Sequence, residues 1–362
     1  MADQSLEDFV ESVNGGSHLR VEHDFGDGFV RLRTSEAERR QAAQDIRNTE
    51  SIVLELLRNS RDAHASCIFL AMSRTGDKRV LTVIDNGEGI PASMHGHVFE
   101  PRVTSKLDTN RMDAWGMHGR GMALYSISVN AETARVADSA LGLGCSMLVE
   151  TDVKKLAERV DQSSFPTFEL TDSGSVNVRG PRNILRTSCE FALETRDTCT
   201  VYVGSPVEIA ATLYAYGMST LSTIDRVFCK DVHELPLVKR LATSADPEAF
   251  SVMAHDMGLE VSDRSARRII DGEVDELDSL LDRITISDGR AKQEKRAKKN
   301  VDISKDARGF KLGKQDAALL AGSVREAFAD IAERYYLEGD VDPSVRAGKD
   351  RIVVTIPVVK RP

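Results

Sequence analysis

The stretch VLTVIDNGEGIP, residues 80–91, decides how this chain is read. It begins as an apolar, β-branched run of the kind that pairs inside a sheet, then passes directly into an acid and two spaced glycines. Asp-Asn-Gly is also a common hairpin turn, so residues 85–87 alone support nothing beyond a turn. A strand end that delivers Asp85 to a buried place would let it accept a hydrogen bond from an exocyclic amine. Burial then penalises a ligand that leaves the acid unpaired. Gly87 and Gly89 let the backbone approach a flat ligand with no Cβ in the way.

Thirty residues upstream, SIVLELLRNSRDAHA (51–65) has helical periodicity and is apolar on most sides. At about 100° per residue, Glu55, Asn59 and Asp62 fall on one stripe. Such a stripe is either a solvated face or, given how widely Ile52, Val53, Leu54, Leu56 and Leu57 wrap the helix, the wall of a cleft. In a cleft, Glu55 suits a general base and the Asn59 carbonyl suits Mg²⁺, a hard ion that takes oxygen ligands. Thirty residues downstream, WGMHGRGMALYSI (115–127) places Gly116, Gly119 and Gly121 ahead of a helix beginning near Met122. Glycines before a helix N-terminus expose N–H groups that can cradle phosphate, although a glycine-rich connector ending in a cap fits as well. The spacing GxxGxG is neither a Walker A sequence nor a dinucleotide fingerprint.

The bulk composition is that of a globular chain. Its 362 residues, 41% of them hydrophobic, can bury more than one core, and two or three domains are expected. No apolar run approaches a membrane span and the start MADQSLEDFVES lacks the marks of a signal peptide, so a cytoplasmic, non-membrane protein is expected. Five scattered cysteines without CxxC spacing read as reduced thiols rather than a disulfide framework or a zinc site. The net charge of -9 offers nucleic acid no global attraction.

Taken together and in this order, ELLRNSRDA (55–63), DNGEGIP (85–91) and GMHGRGMAL (116–124) resemble the N, G1 and G2 boxes of the GHKL ATPases. That superfamily includes gyrase B, heat-shock chaperones, MutL and the histidine kinases. The resemblance covers roughly residues 35–152 and implies an α+β protein whose first domain is a Bergerat two-layer α/β sandwich binding ATP with Mg²⁺. Carried over by position, Glu55 would be the general base, Asn59 the Mg²⁺ ligand and Asp85 the adenine reader. Gly87 and Gly89 would shape the base pocket and Gly116, Gly119 and Gly121 would hold the phosphates, with Asp62, Ile90, Met117, His118 and Arg120 also binding the nucleotide. Residues 92–115 would be the lid. Its segment HVFEPRVTSK (97–106) would pack through Phe99 and bring Thr104, Ser105 and a catalytic Lys106 to the phosphates. The VF...SK segment and the GxxGxG spacing are most similar to the B subunit of type IIB topoisomerases. That likeness implies an ATP-gated homodimeric clamp linked to DNA, with breakage left to a separate DNA-cleaving or other effector subunit. Two alternatives are a histidine-kinase or anti-sigma type protein kinase and a non-hydrolysing nucleotide-gated interaction module.

The remainder is expected to hold four parts after a domain at 1–152. A transducer-like α/β region would comprise 153–245 and 315–362, with a helical insert at 246–289 and a basic linker at 290–314. CEFALETRDTCTVYV (189–203) reads as a strand pair turning near Arg196-Asp197, and a helix follows from Pro206. Asp246, Pro247, Gly258 and Ser262 punctuate two short helices, the second carrying Arg264, Arg267 and Arg268. They resemble a helix-turn-helix or pack as a helical hairpin. The run 290–314 holds ten Lys or Arg against three acids, which suits either a solvated linker or phosphate contacts. Lys305, Lys311 and Lys314 are the candidates for a transducer lysine. DAALLAGSVREAFADIAERYY (316–336) is expected as a helix and RIVVTIPVV (351–359) as a strand.

Overall fold

A computed structural model of the chain describes residues 21–105, 111–113, 116–118, 121–171, 176–222, 224, 226, 229, 231–288, 314–347 and 352–360. Two compact units divide at Ser287/Asp288.

The first unit opens with a hairpin, β1 (Val21–Gly26) and β2 (Phe29–Leu32), followed by α1 (Glu36–Asp45), capped by a reciprocal Ser35–Glu38 box. Next comes α2 (Thr49–Asp62), whose Asn48 cap accepts from the Ser51 amide. The strands β3 (Cys67–Thr75) and β4 (Lys78–Asp85) form an antiparallel hairpin that turns through Gly76. Two short 3-10 turns, Ala92–Met94 and His97–Phe99, lead to β5 (Val103–Thr104), β6 (Arg111–Asp113) and β7 (Gly116–His118). The helix α3 (Ala123–Asn130) precedes β8 (Thr133–Ala140) and β9 (Gly144–Asp152). Beyond lie β10 (Thr167–Leu170), β11 (Val176–Arg179), α4 (Ile184–Glu194), β12 (Thr200–Gly204) and α5 (Pro206–Thr220). A 3-10 segment at Leu237–Thr243, α6 (Pro247–Asp256), α7 (Asp263–Ile270), α8 (Leu280–Arg283) and β13 (Ile286–Asp288) complete the series.

The central sheet runs β12-β3-β4-β9-β8, with β12 parallel to β3 and every other pair antiparallel. Its strands alternate with period two. Ile68, Leu70, Leu81, Val83, Cys145, Met147 and Val149 face one core, which includes Ile52, Val53, Leu56 and Leu57 of α2 and Ile184 and Phe191 of α4. Phe69, Ala71 and Ile84 face the other, built with Ile209 and Leu213 of α5, Leu241, Phe250 of α6 and Ala266 and Ile269 of α7. Full burial of each large apolar side chain contributes about 1.5–3 kcal/mol before chain entropy is counted. The α+β class and the sandwich of helices on a mixed sheet are therefore present, and a further helical layer covers the far face.

Thr82 Oγ1 donates to the Gly258 carbonyl at 2.6 Å and Ser146 Oγ to the Met257 carbonyl at 2.7 Å, both buried. These hydroxyls satisfy two carbonyls at the C-terminal end of α6, so this helical layer sits directly on the central sheet. Residues 153–287 fall in the same compact unit as the central sheet. The caps read at Asp246 and Ser262, and the left-handed Gly258 at φ +78°, are all present.

One secondary-structure expectation is overturned. Residues 189–194 are the second half of α4, not the first arm of a strand pair; only Thr200–Gly204 is a strand. The helix starts upstream of the stretch that looked β-like, where Asn183 caps it by accepting from the Arg186 amide at 2.9 Å. Ile184, Leu185, Ser188, Cys189, Phe191 and Ala192 are its buried stripe, a helical spacing invisible when the window opens at Cys189.

The second unit, Asp288–Pro362, contains α9 (Lys314–Arg334) and an antiparallel hairpin of β14 (Ser344–Ala347) and β15 (Ile352–Thr355). Its small core gathers Phe328, Ala332 and Val341 with Leu337 and Ile356. The basic stretch 290–313, including Lys305 and Lys311, lies outside the described residues, as does the side chain of Lys314.

Candidate nucleotide site

A cleft opens between α2, the end of β4, the lid segment and the start of α3. Its walls include Glu55, Asn59 and Asp62 from α2, Asp85 from β4, Gly89 and Ile90 from the following loop, Thr104 and Ser105 from the lid, and Gly121. Val83, Cys145 and Met147 form its apolar floor. The polar stripe on α2 thus lines a cleft rather than a solvated face.

Asp85 is 5% exposed, on the α2 side of the sheet. Its Oδ1 accepts from the Gly87 amide at 2.9 Å and its Oδ2 from Ser60 Oγ at 2.6 Å. The acid at the strand end is therefore built into a turn and braced by the neighbouring helix, which fixes the carboxylate's direction. Asn86 is a bracket: its Oδ1 accepts from the amides of Ser66 at 2.9 Å and Cys67 at 2.8 Å, tying the end of β4 to the start of β3. The loop is then strapped on both sides. The Glu88 amide donates to the Ala63 carbonyl at 2.9 Å, and the Gly142 amide donates to the Glu88 carbonyl at 2.6 Å.

These straps explain the two glycines more directly than room for a ligand does. A Cβ at Gly87 would stand 2.5 Å from the Ala63 carbonyl oxygen. At Gly89, with φ +72°, it would stand 2.0 Å from the Ala140 carbonyl oxygen. A third glycine, Gly144 at φ +93°, would put a Cβ 2.2 Å from the Asp85 carbonyl oxygen. No local pattern marks Gly144, because its contact is to the end of β4, distant in sequence.

On α2, Arg58 donates to the Glu55 carboxylate, and their side chains are 7% and 19% exposed. Neither this pairing nor the Ser60 brace was read from the sequence, although both residues stand inside the motif. The Asn59 amide lines the cleft with its Nδ2 buried and unpartnered. An amide so placed has hydrogen-bonding or ligating capacity to spare, and a half-turn about its terminal bond exchanges its nitrogen and oxygen. Asp62 pairs with Arg61 Nε at 3.1 Å. Burial, and secondly the Asp85 charge, push the Cys145 thiol up, so this floor cysteine is a neutral packing group.

The segment 97–105, expected as part of a lid, is anchored from outside. β5 pairs with β2, Val30 with Thr104 and Arg31 with Val103. Arg31 pairs with Glu100, and Arg102, at φ +57°, pairs with Glu38 at 2.8 Å. Phe99 packs against the main core as expected, while Val98 beside it is the residue that lines the cleft. Gly116, Met117 and His118 form the short strand β7 against β6 rather than a loop. Gly121, at φ +66°, approaches Thr104 and Arg102. Lys106, Gly119 and Arg120 lie outside the described residues.

Residues 44–155 match the family model of histidine kinase-, DNA gyrase B-, and HSP90-like ATPases. The DNA mismatch repair protein MutL of Staphylococcus aureus, in strains Newman and JH1, is 33% identical over 115 residues, 31% of this chain. This chain spans only 17% of the length of those relatives. A solved crystal structure of the N terminal domain of a DNA repair protein aligns at TM-score 0.25 and 18% identity, covering 43% of this chain and 59% of that one. The family match shows that residues 44–155 are similar to the GHKL ATPases, in the stretch that carries the three ordered motifs.

Proposed function

We propose that the cleft binds and hydrolyses ATP and that the chain works as an ATP-gated, homodimeric clamp acting with DNA. The observation that carries the ATP half is the convergence of Glu55, Asn59 and the braced Asp85 on one cleft with an apolar floor. Asp85, held by Ser60 and the Gly87 amide, accepts from the exocyclic amine of adenine, with Val83, Ile90 and Met147 around the ring. The unpartnered Asn59 amide fits Mg²⁺, which supplies charge neutralisation at the phosphates when bound. Glu55 orients a water and takes its proton, so positioning and electrostatics do most of the work. Thr104, Ser105 and Gly121 supply the lid side, and the expected phosphate contacts at Gly116, Gly119, Arg120 and Lys106 belong to the same reading.

The DNA half rests on the similarity of residues within this domain to DNA mismatch repair proteins and on the basic run 290–314. The type IIB topoisomerase subtype rests on the VF...SK and GxxGxG pattern alone, and either subtype calls for a separate effector subunit. Among the described residues no helix is long and apolar enough to cross a membrane, and a cytoplasmic setting is part of the proposal.

The test is phosphate release and nucleotide binding measured on the same sample. Glu55→Ala is expected to retain nucleotide and lose release; a variant that hydrolyses like wild type would sink the hydrolytic role. A second reading, a nucleotide-gated module that does not hydrolyse, is favoured by the ion pair that engages Glu55. It predicts binding without turnover in wild type. Turnover with and without DNA, followed by sizing with and without ATP, tests the clamp.

A further inference from the structure

On α2, Glu55 faces the cleft with Asn59 about 40° to one side and Arg58 about 60° to the other, at about 100° per residue. The Glu55 carboxylate is bonded to Arg58, so it is drawn to the flank away from Asn59. Arg58 is 5% exposed and lines the same cleft. Its guanidinium is thus a buried cation in direct contact with the group that the hydrolytic reading needs at the phosphate side.

We propose that Arg58 is a positioning residue that restrains Glu55, holding its carboxylate on the flank away from Asn59 and so limiting the rate of hydrolysis. This rests on the ATPase reading above and adds a rate control built into the motif helix. The reaction needs a water between Glu55 and the terminal phosphorus. The water's proton passes to the carboxylate as its oxygen bonds to phosphorus and the bond to the ADP oxygen breaks. A carboxylate turned toward Arg58 reaches that water only after a rotamer change that gives up a charge-assisted hydrogen bond. Bonds to charged groups are strong enough to hold the competent rotamer to a minor population, so removing the restraint raises turnover. Asp85 is braced by Ser60 and the Gly87 amide, bonds that a change at Arg58 leaves in place.

Steady-state phosphate release with ATP as the substrate tests this in the full chain. Arg58→Gln is expected to raise kcat roughly 5–10-fold while KM stays within about two-fold, as release of one hydrogen bond to a charged group predicts. Arg58→Lys, a point charge without the planar fork, should fall between wild type and Arg58→Gln. Adding Glu55→Ala to Arg58→Gln should remove the gain. If Arg58→Gln melts below the assay temperature, Arg58→Met replaces it with the same expectation. A folded Arg58 variant whose kcat is unchanged or lower overturns the restraint while leaving the ATPase reading intact. Absence of nucleotide binding in wild type overturns both.

Discussion

Ser60 on α2 and Asp85 at the end of β4, 25 residues apart, meet in a buried hydrogen bond of 2.6 Å at the base of the cleft. The bond locks the strand end to the motif helix and aims the acid, whose other oxygen is held by the Gly87 amide. Asp85→Asn would remove the charge that this arrangement is built around and put an NH₂ where an acceptor is needed. Nucleotide affinity should fall roughly 10–100-fold, and by a smaller factor in Ser60→Ala. Titration with a fluorescent adenine nucleotide reads both; unchanged affinity in Asp85→Asn would remove it from base recognition.

Gly89→Ala should be far costlier than Gly28→Ala. Both glycines have left-handed backbone, φ +72° and +81°, so both substitutions carry a conformational penalty of about 1–2 kcal/mol. Gly28 has nothing within 4 Å of an added Cβ, whereas at Gly89 the Ala140 carbonyl stands 2.0 Å away. Denaturant unfolding should show at least about 2 kcal/mol more loss for Gly89→Ala, because backbone must move. Equal losses would mean the loop yields without cost.

Arg240, 2% exposed, ties the 3-10 segment to β8, the edge strand of the central sheet. It pairs with Asp138 and donates to the carbonyls of Leu235 at 3.0 Å and His233 at 3.2 Å. Arg240→Met keeps the stem's packing but strands the carboxylate and two carbonyls. Asp138 keeps some solvent access, at 21%, so the expected loss is about 2–3 kcal/mol, below that for a fully buried pair. The double variant with Asp138→Asn should recover part of it in a melting experiment. No recovery would mean that the carbonyl contacts dominate.

The buried thiols set an alkaline limit. Burial pushes Cys189 and Cys199 up to about 12, against an ordinary value near 9. All five cysteines are free, so each can ionise. Because the folded value is the higher one, the unfolded chain loses these protons first. Their stabilising contribution is full below about pH 9 and declines as pH rises toward 12. Denaturation midpoints should therefore fall between pH 9 and 11, and Cys199→Ala should flatten that fall. An identical slope in the variant would exclude the thiol as its source.

How much was legible in the sequence follows from the range of the interactions involved. The helices α2, α5, α6 and α7 were readable because their start signals are local: Asn48, Ser205, Asp246 and Ser262 each cap within three residues. The site was readable for a related reason, since a motif helix, a strand end and a glycine turn each place their polar groups by short-range geometry. Glu55, Asn59 and Asp85 share the cleft expected of them. The α4 error shows the limit from the other side, because a local signal outside the chosen window was lost.

The sequence by itself determined the order of the elements around the cleft and which side chains could serve it. Only the tertiary structure decided what those side chains are bonded to and what covers the sheet's far face. An apolar run such as CIFLAM or RVLTVI shows that a strand is buried but not by what, and Thr82 and Ser146 find their partners at residues 258 and 257. Gly87 and Gly89 likewise read as space for a ligand, yet the atoms they spare are carbonyls of Ala63 and Ala140. Contacts across such separations depend on how the layers stack, which a periodicity confined to one element does not encode.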